Sequence, residues 1–99
     1  MDVLIDGMVQ TIVTKDEEIL FHTLVQNNIL LNSSCGGYGA CGECIVKILE
    51  YDSTQLLRPN IVEQKWLGNV FHITKERLSC QIKCRGISRI DCTNSIRRV

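Results

Sequence analysis

The first thirteen residues combine apolar positions with a sharp turn signal. Residues 2–5 are largely apolar and weakly alternating, and residues 8–13 are rich in β-branched and apolar side chains. Between them lies Asp6-Gly7, a dipeptide typical of two-residue hairpin turns. This pattern predicts that the chain opens with a β-hairpin.

The following segment changes to a helical period. Thr14 and Glu17 have the spacing of a capping box, which predicts that a helix begins near Lys15. The apolar residues that follow recur at helical spacing: Ile19, Leu20, Leu24 and Val25. Asn27-Asn28 is a plausible end. We therefore predict an amphipathic helix that packs one face against a core.

The second half of the chain predicts short elements. Residues 44–50 have apolar side chains at both odd and even positions, as in a strand covered on both faces. Residues 61–68 predict a short helix that places Ile61, Trp66 and Leu67 against the core. Three further segments have the composition of short strands: 71–74, 78–83 and 87–92.

These elements predict an α+β fold, a mixed sheet with one main helix packed across it. The chain has 99 residues and contains no internal repeat, linker or low-complexity segment, so we expect a single domain spanning residues 1–99. A domain of this size has a small core and gains stability from a disulfide, a metal or a cofactor.

Six cysteines suggest either a disulfide framework or metal ligation. The N-terminal residues Met1 to Gly7 lack the basic and long apolar regions of an export signal, and no apolar run approaches the length of a membrane span. We therefore expect a cytoplasmic protein without membrane attachment, in which cysteines act as ligands. No nucleophile, paired-carboxylate or phosphate-loop motif stands out, so we expect no enzyme activity.

Charge is unevenly distributed although the net charge is zero. Residues 1–52 contain eight acids and two bases, and residues 53–99 contain nine bases and three acids, or −6 and +6. The bases are dispersed, which disfavours nucleic acid as a partner and favours electrostatic docking to another protein. The sequence points to an acidic docking set: Asp16, Glu17, Glu18, Glu43, Glu50 and Asp52.

The cysteine pattern carries the strongest chemical signal. Cys35, Cys41 and Cys44 lie close together, and Cys80 follows far along the chain, as in plant-type 2Fe-2S proteins apart from a first gap that is one residue longer. Four glycines accompany the first three cysteines: Gly36, Gly37, Gly39 and Gly42. Such residues allow a loop to curl around inorganic sulfide and expose its N–H groups.

The Cys-Gly-Gly and Cys-Gly-x-Cys motifs, with the distant Leu78-Ser79-Cys80-Gln81, make the chain resemble the β-grasp 2Fe-2S ferredoxins. The long first gap is similar to that of adrenodoxin-like members, and the glycine-rich loop to ferredoxin domains of flavin reductases. The resemblance implies a one-electron carrier, monomeric in isolation, between a reductase and an acceptor enzyme. The alternative is an electron-input module or subunit of a larger oxidoreductase. The resemblance implies four ligands of a 2Fe-2S cluster: Cys35, Cys41, Cys44 and Cys80.

Other interpretations of the same residues stay open. A zinc site would use Cys41-x2-Cys44 with Cys80-x3-Cys84, but leaves Cys35 unexplained. Otherwise Cys84 and Cys92 are buried or free thiols. A Rieske centre would require both histidines, His22 and His72, where cysteines already fill the sites. Two aromatic residues are expected to serve in packing: Tyr38 and Trp66.

Overall fold

The computed structural model describes residues 1–32 and 42–97. The predictions for Cys35, Cys41 and Tyr38 therefore lie outside the described residues. The described strands are β1 (Asp2–Ile5), β2 (Met8–Thr11), β3 (Ile45–Tyr51), β4 (Glu76–Leu78) and β5 (Ile87–Asp91). The described helices are α1 (Leu20–Gln26), α2 (Ile61–Leu67), α3 (Phe71–Thr74) and a 3-10 helix (Ser79–Gln81).

The strands form one five-stranded mixed sheet in the order β2-β1-β5-β3-β4. Strand β1 pairs with β5 in parallel, and the other neighbours are antiparallel. One face of α1 contributes Leu20, Phe21 and Leu24 to the same buried cluster as Val46 and Ile48 of β3. The predicted α+β class, a mixed sheet with a main helix packed against it, is confirmed.

The opening hairpin has the predicted turn. Asp6 and Gly7 both have positive φ angles, 53° and 80°. This backbone geometry matches the right-handed twist of the flanking strands and explains why an Asp-Gly pair occurs there. The backbone N–H of Asp6 also donates a hydrogen bond of 3.0 Å to Thr93 Oγ1, which ties the turn to the chain after β5.

Helix α1 begins later than predicted. Its first residue is Leu20, and the preceding residue, Ile19, provides no side-chain cap. The predicted Thr14–Glu17 capping box is therefore wrong, because Glu17 forms ion pairs with Lys83 and Arg85 instead. The predicted end is confirmed, since Asn27 is the C-cap and Asn28 adopts a left-handed conformation (φ 62°).

Two of the predicted strands after α2 are wrong. Residues 71–74 form the single helical turn α3, which ends at Lys75 in a left-handed conformation (φ 59°). Tertiary contacts outweigh the strand propensity there, because the Phe71 ring packs against Tyr51 at 5.5 Å between centroids. The segment 78–83 leaves the sheet after Leu78 and enters the 3-10 helix that contains Cys80.

The helix predicted at 61–68 is confirmed, but its buried face is different. Ile61 is 82% exposed and Trp66 is 42% exposed, whereas Glu63 is buried. Asn60 and Glu63 form a reciprocal capping box that starts the helix. None of the helices in the described part of the chain is long and apolar enough to cross a bilayer.

Cys92 lies in the core at 0% exposure, and burial raises the pKa of its thiol to about 12. An unfolded cysteine titrates near 9, so the unfolded chain binds fewer protons than the folded chain between these values. The stabilisation is complete below pH 9 and is lost as the pH rises toward 12. We expect the free energy of unfolding to fall more steeply above pH 9 in the wild type than in Cys92→Ala, by up to about 1.4 kcal/mol per pH unit.

Anaerobic urea titrations of both proteins at several alkaline pH values test this expectation. The Cys92→Ala protein is less stable at every pH because its side chain leaves a small void, but that offset does not affect the slope. Parallel slopes for the two proteins would contradict a buried neutral thiol at Cys92.

Candidate metal centre

Two of the predicted ligands lie together. Cys44 precedes β3 and Cys80 lies in the 3-10 helix after β4, and β3 and β4 pair with Ile45 opposite Leu78. Ser79 joins the two ends further, because its N–H and its hydroxyl both donate to the Cys44 carbonyl, at 3.0 and 2.9 Å. The sheet thus brings two distant cysteines to one edge of the fold.

The two thiols interact directly and favour ionisation at Cys44. A hydrogen bond from the Cys80 thiol lowers the pKa of Cys44 to about 6, assisted by the Cys80 N–H and the Ser79 hydroxyl and opposed by burial. Both cysteines are buried. The thiolate is the form that binds metals, so this half of the site is preorganised for a thiophilic metal centre.

The donor set suits iron or zinc, since buried sulfur ligands are typical of both. The Gln81 amide Nε2 lies 3.5 Å from Cys80 Sγ and is oriented to donate to it. Hydrogen bonds to ligand sulfur are among the features that tune cluster potential. The residues described here therefore fit a 2Fe-2S cluster as two of its four thiolates.

Gly42 connects the cysteine-rich segment to Cys44, and its conformation requires glycine. It has a positive φ of 65°, and a Cβ built there would lie 2.5 Å from Trp66 Cδ2. The Trp66 ring therefore lies directly on the Gly42 backbone. The sequence analysis expected Trp66 to face the core, and no local pattern indicated this contact across the distance that separates the two residues in the chain.

A buried ion pair supports the strand that leads to Cys80. The Arg77 Nε atom lies 2.6 Å from Glu63 Oε2, and Arg77 Nη2 lies 2.9 Å from Glu63 Oε1. The same carboxylate accepts a hydrogen bond from the Leu78 N–H at 3.3 Å. Arg77 Nη1 donates to the Leu57 carbonyl at 2.9 Å. Glu63 and Arg77 thus connect helix α2 with the chain two residues before Ser79.

Cys84 does not join these ligands. Its Sγ lies 3.4 Å from Thr23 Oγ1 of helix α1, and burial raises the pKa of its thiol. Within residues 1–32 and 42–97, no three His, Cys, Asp or Glu side chains are grouped closely enough for a metal ion. This arrangement disfavours the zinc interpretation, which requires Cys84 beside Cys44 and Cys80. Both histidines, His22 and His72, lie on the surface.

The predicted acidic docking residues are largely engaged within the chain. Glu17 lies 2.8 Å from Lys83 Nζ, and this hydrogen bond lowers the pKa of its carboxyl, with Arg85 contributing. Glu18 accepts a hydrogen bond from the Thr23 hydroxyl. Hydrogen bonds from Thr54 lower the pKa of Asp52. These contacts reduce the free negative charge that this set offers to a partner.

The mixed sheet, the helix across it and the paired thiols at the sheet edge define the class of small iron-sulfur proteins. A family model described as the 2Fe-2S iron-sulfur cluster binding domain matches residues 3–85. The chain belongs to this family, its cofactor is a 2Fe-2S cluster, and its function is electron transfer.

The curated relatives include both short and long proteins. The chain is 36% identical over 73 residues to 2Fe-2S ferredoxin-5 of Aquifex aeolicus, which covers 72% of this chain and 74% of that protein. It is 31% identical over 83 residues to one component of the Na(+)-translocating NADH-quinone reductase of Histophilus somni. That alignment covers 78% of this chain and only 18% of the reductase component.

Two solved structures have the same fold. The ferredoxin of Trichomonas vaginalis superposes with a TM-score of 0.73 at 21% identity, covering 91% of this chain and 96% of that chain. A cytochrome P450 reductase from Amycolatopsis superposes with a TM-score of 0.70 at 17% identity. The second match covers 99% of this chain and 27% of the reductase.

Proposed function

We propose that this protein is a one-electron carrier that moves electrons between a reductase and an acceptor enzyme, with the cluster held by Cys35, Cys41, Cys44 and Cys80. The observation that supports this assignment most directly is the contact between the Cys44 and Cys80 thiols at the sheet edge. A bound 2Fe-2S cluster supplies one-electron oxidation and reduction. The chain supplies the buried thiolates, the hydrogen bond to Cys80 and the rigid sheet edge.

We further propose a single β-grasp domain spanning residues 1–99 that acts in the cytoplasm as a monomer and has no catalytic activity of its own. The cysteines described by the structure are unpaired thiols, which suits a reducing compartment. Electron transfer through a cluster needs no substrate pocket or acid-base pair, since the electron passes between centres held in two docked proteins.

A panel of Cys→Ser variants tests the ligand set. The anaerobically purified wild type is expected to bind about two irons per chain and to show visible absorption that bleaches with dithionite. Each substitution at Cys35, Cys41, Cys44 or Cys80 should reduce bound iron severalfold and alter the spectrum. Cys84→Ser is the matched control and should keep the iron content and spectrum of the wild type.

Two results would contradict the assignment. Wild-type protein that is colourless and binds stoichiometric zinc would overturn the electron-carrier proposal. Iron lost in Cys84→Ser but retained in Cys35→Ser would move the fourth ligand to Cys84. Both measurements use iron and zinc counted on the same samples as the spectra.

A second candidate is an electron-input module or subunit of a larger oxidoreductase. The observation that favours it is the small share of the longer relatives that the chain spans, 18% of the quinone reductase component and 27% of the P450 reductase. Gel filtration of the natively expressed protein separates the two candidates. Elution in a stable complex with a flavoprotein favours the module, and elution as a free small protein favours the carrier.

A further inference from the structure

The segment 53–75 presents an unusual combination of charge and exposure. It contains the bases Arg58, Lys65 and Lys75 and a single acid, Glu63. Because Glu63 is 1% exposed and paired with the equally buried Arg77, its charge is not available at the surface. The next acid along the chain, Glu76, lies on β4 opposite Lys47. The exposed formal charge of this segment is therefore entirely positive.

The same segment carries large apolar side chains at the surface. Leu57 is 76% exposed and Ile61 is 82% exposed. Ile61 and Lys65 are one helical turn apart on α2 and share its outer side. Lys65 Nζ lies 5.4 Å from the centre of the Trp66 ring. We define the α2 face as Leu57, Arg58, Ile61, Lys65 and Trp66.

The α2 face adjoins the candidate metal centre on two sides. Trp66 covers the backbone of Gly42, which lies between two of the proposed ligands in the sequence. Leu57 and Arg58 border a cleft of about 400 Å³ that extends to Gln81, beside Cys80. A protein docked on this face would therefore approach the segments that carry Cys44 and Cys80.

We propose that the α2 face is the docking surface for a redox protein with an acidic, partly apolar face. The proposal rests on the one-electron carrier function proposed above. Two bases without an exposed carboxylate in the segment complement negative charge, and exposed apolar side chains beside them are typical of interaction sites. This assignment replaces the acidic docking set expected from the sequence, because Glu17, Glu18 and Asp52 are engaged by neighbouring side chains.

Electron transfer to two haem proteins of opposite charge tests the proposal. Dithionite-reduced protein is mixed by anaerobic stopped flow with ferric cytochrome b5, which is acidic, or ferric cytochrome c, which is basic. One electron passes to the haem, which becomes ferrous as the protein is oxidised. For cytochrome b5 we expect a second-order rate that falls as the salt concentration rises, because salt shortens the range of attraction.

A matched pair of double variants separates the α2 face from net charge. Arg58→Glu with Lys65→Glu should slow cytochrome b5 reduction about tenfold or more at low salt. Lys15→Glu with Arg97→Glu changes the net charge equally at exposed bases outside the segment, and should change that rate less than about twofold. The neutral variant Arg58→Gln with Lys65→Gln should lie between them. Unchanged iron content and visible spectra establish that all variants are intact.

The outcomes are separable. Equal rates in the two charge-reversed variants, or no slowing in either, would overturn the docking proposal while leaving electron transfer intact. A wild type that reduces neither haem protein would overturn the carrier function itself. Wild-type dimers in sedimentation equilibrium that Arg58→Glu with Lys65→Glu dissociates would identify a second copy as the occupant and refute the redox-partner assignment. Binding to phosphatidylglycerol vesicles that the same variant abolishes would refute it in favour of a membrane surface.

Discussion

Replacing Arg77 by methionine is expected to lower the free energy of unfolding by about 3–5 kcal/mol. The substitution leaves the Glu63 carboxylate buried without its cationic partner, and both side chains are only 1% exposed. It also leaves the Leu57 carbonyl without the Arg77 donor. Because domains of this size are stable by about 5–15 kcal/mol in total, the variant should lose a large part of its stability. Urea unfolding followed through cluster absorbance measures the effect.

Two controls distinguish the buried pair from a general loss of charge. Lys83→Met removes an exposed pair with Glu17 and should cost less than about 1 kcal/mol. The double variant Glu63→Met with Arg77→Met removes both charges, so it should be more stable than the sum of the single effects requires. If Arg77→Met costs no more than Lys83→Met, the buried pair does not stabilise the connection between α2 and the Cys80 segment.

Replacing Gly42 by alanine is expected to disrupt the candidate metal centre. The new Cβ would lie 2.5–2.8 Å from three atoms of the Trp66 ring, on a backbone with φ of 65°. A left-handed conformation costs a non-glycine residue about 1–2 kcal/mol, and displacement of the ring adds to this cost. We expect lower iron content and faster loss of visible absorbance than in the wild type.

Gly68→Ala is the matched control for Gly42→Ala. Gly68 has a similar φ of 72°, but nothing lies within 4 Å of its Cβ position, so it carries the conformational penalty alone. Trp66→Ala supplies the complementary background, in which Gly42→Ala should cost about as much as Gly68→Ala. Equal effects of Gly42→Ala in the wild-type and Trp66→Ala backgrounds would show that the ring does not constrain Gly42.

Local patterns predicted the elements whose cause is local. The Asp6-Gly7 turn follows from two residues that tolerate positive φ, and both adopt it. The end of α1 at Asn27 follows from the same kind of signal. The cysteine order indicated a 2Fe-2S protein, which the family assignment confirms, since the identity of the donors largely determines the metal chemistry.

Predictions failed where a distant residue decided the outcome. Glu17 fits a capping box in sequence, but Lys83 and Arg85 bind it, and α1 begins at Leu20. Residues 71–74 have strand composition, but the packing of Phe71 against Tyr51 accompanies a helical turn. Propensity is a weak signal in such short segments, and a single tertiary contact of similar energy reverses it.

The sequence by itself determined the cofactor class, the hairpin turn, the main helix and the strands at 45–51 and 87–91, because residue chemistry and periodicity act locally. Only the tertiary structure decided which residues support the site. It placed Cys44 against Cys80, the Trp66 ring on Gly42, and the Glu63 carboxylate on Arg77. It also exposed Ile61 and buried Glu63, contrary to their polarity. Each of these contacts joins residues far apart in the chain, so the packing of the sheet and helices is what brings them together.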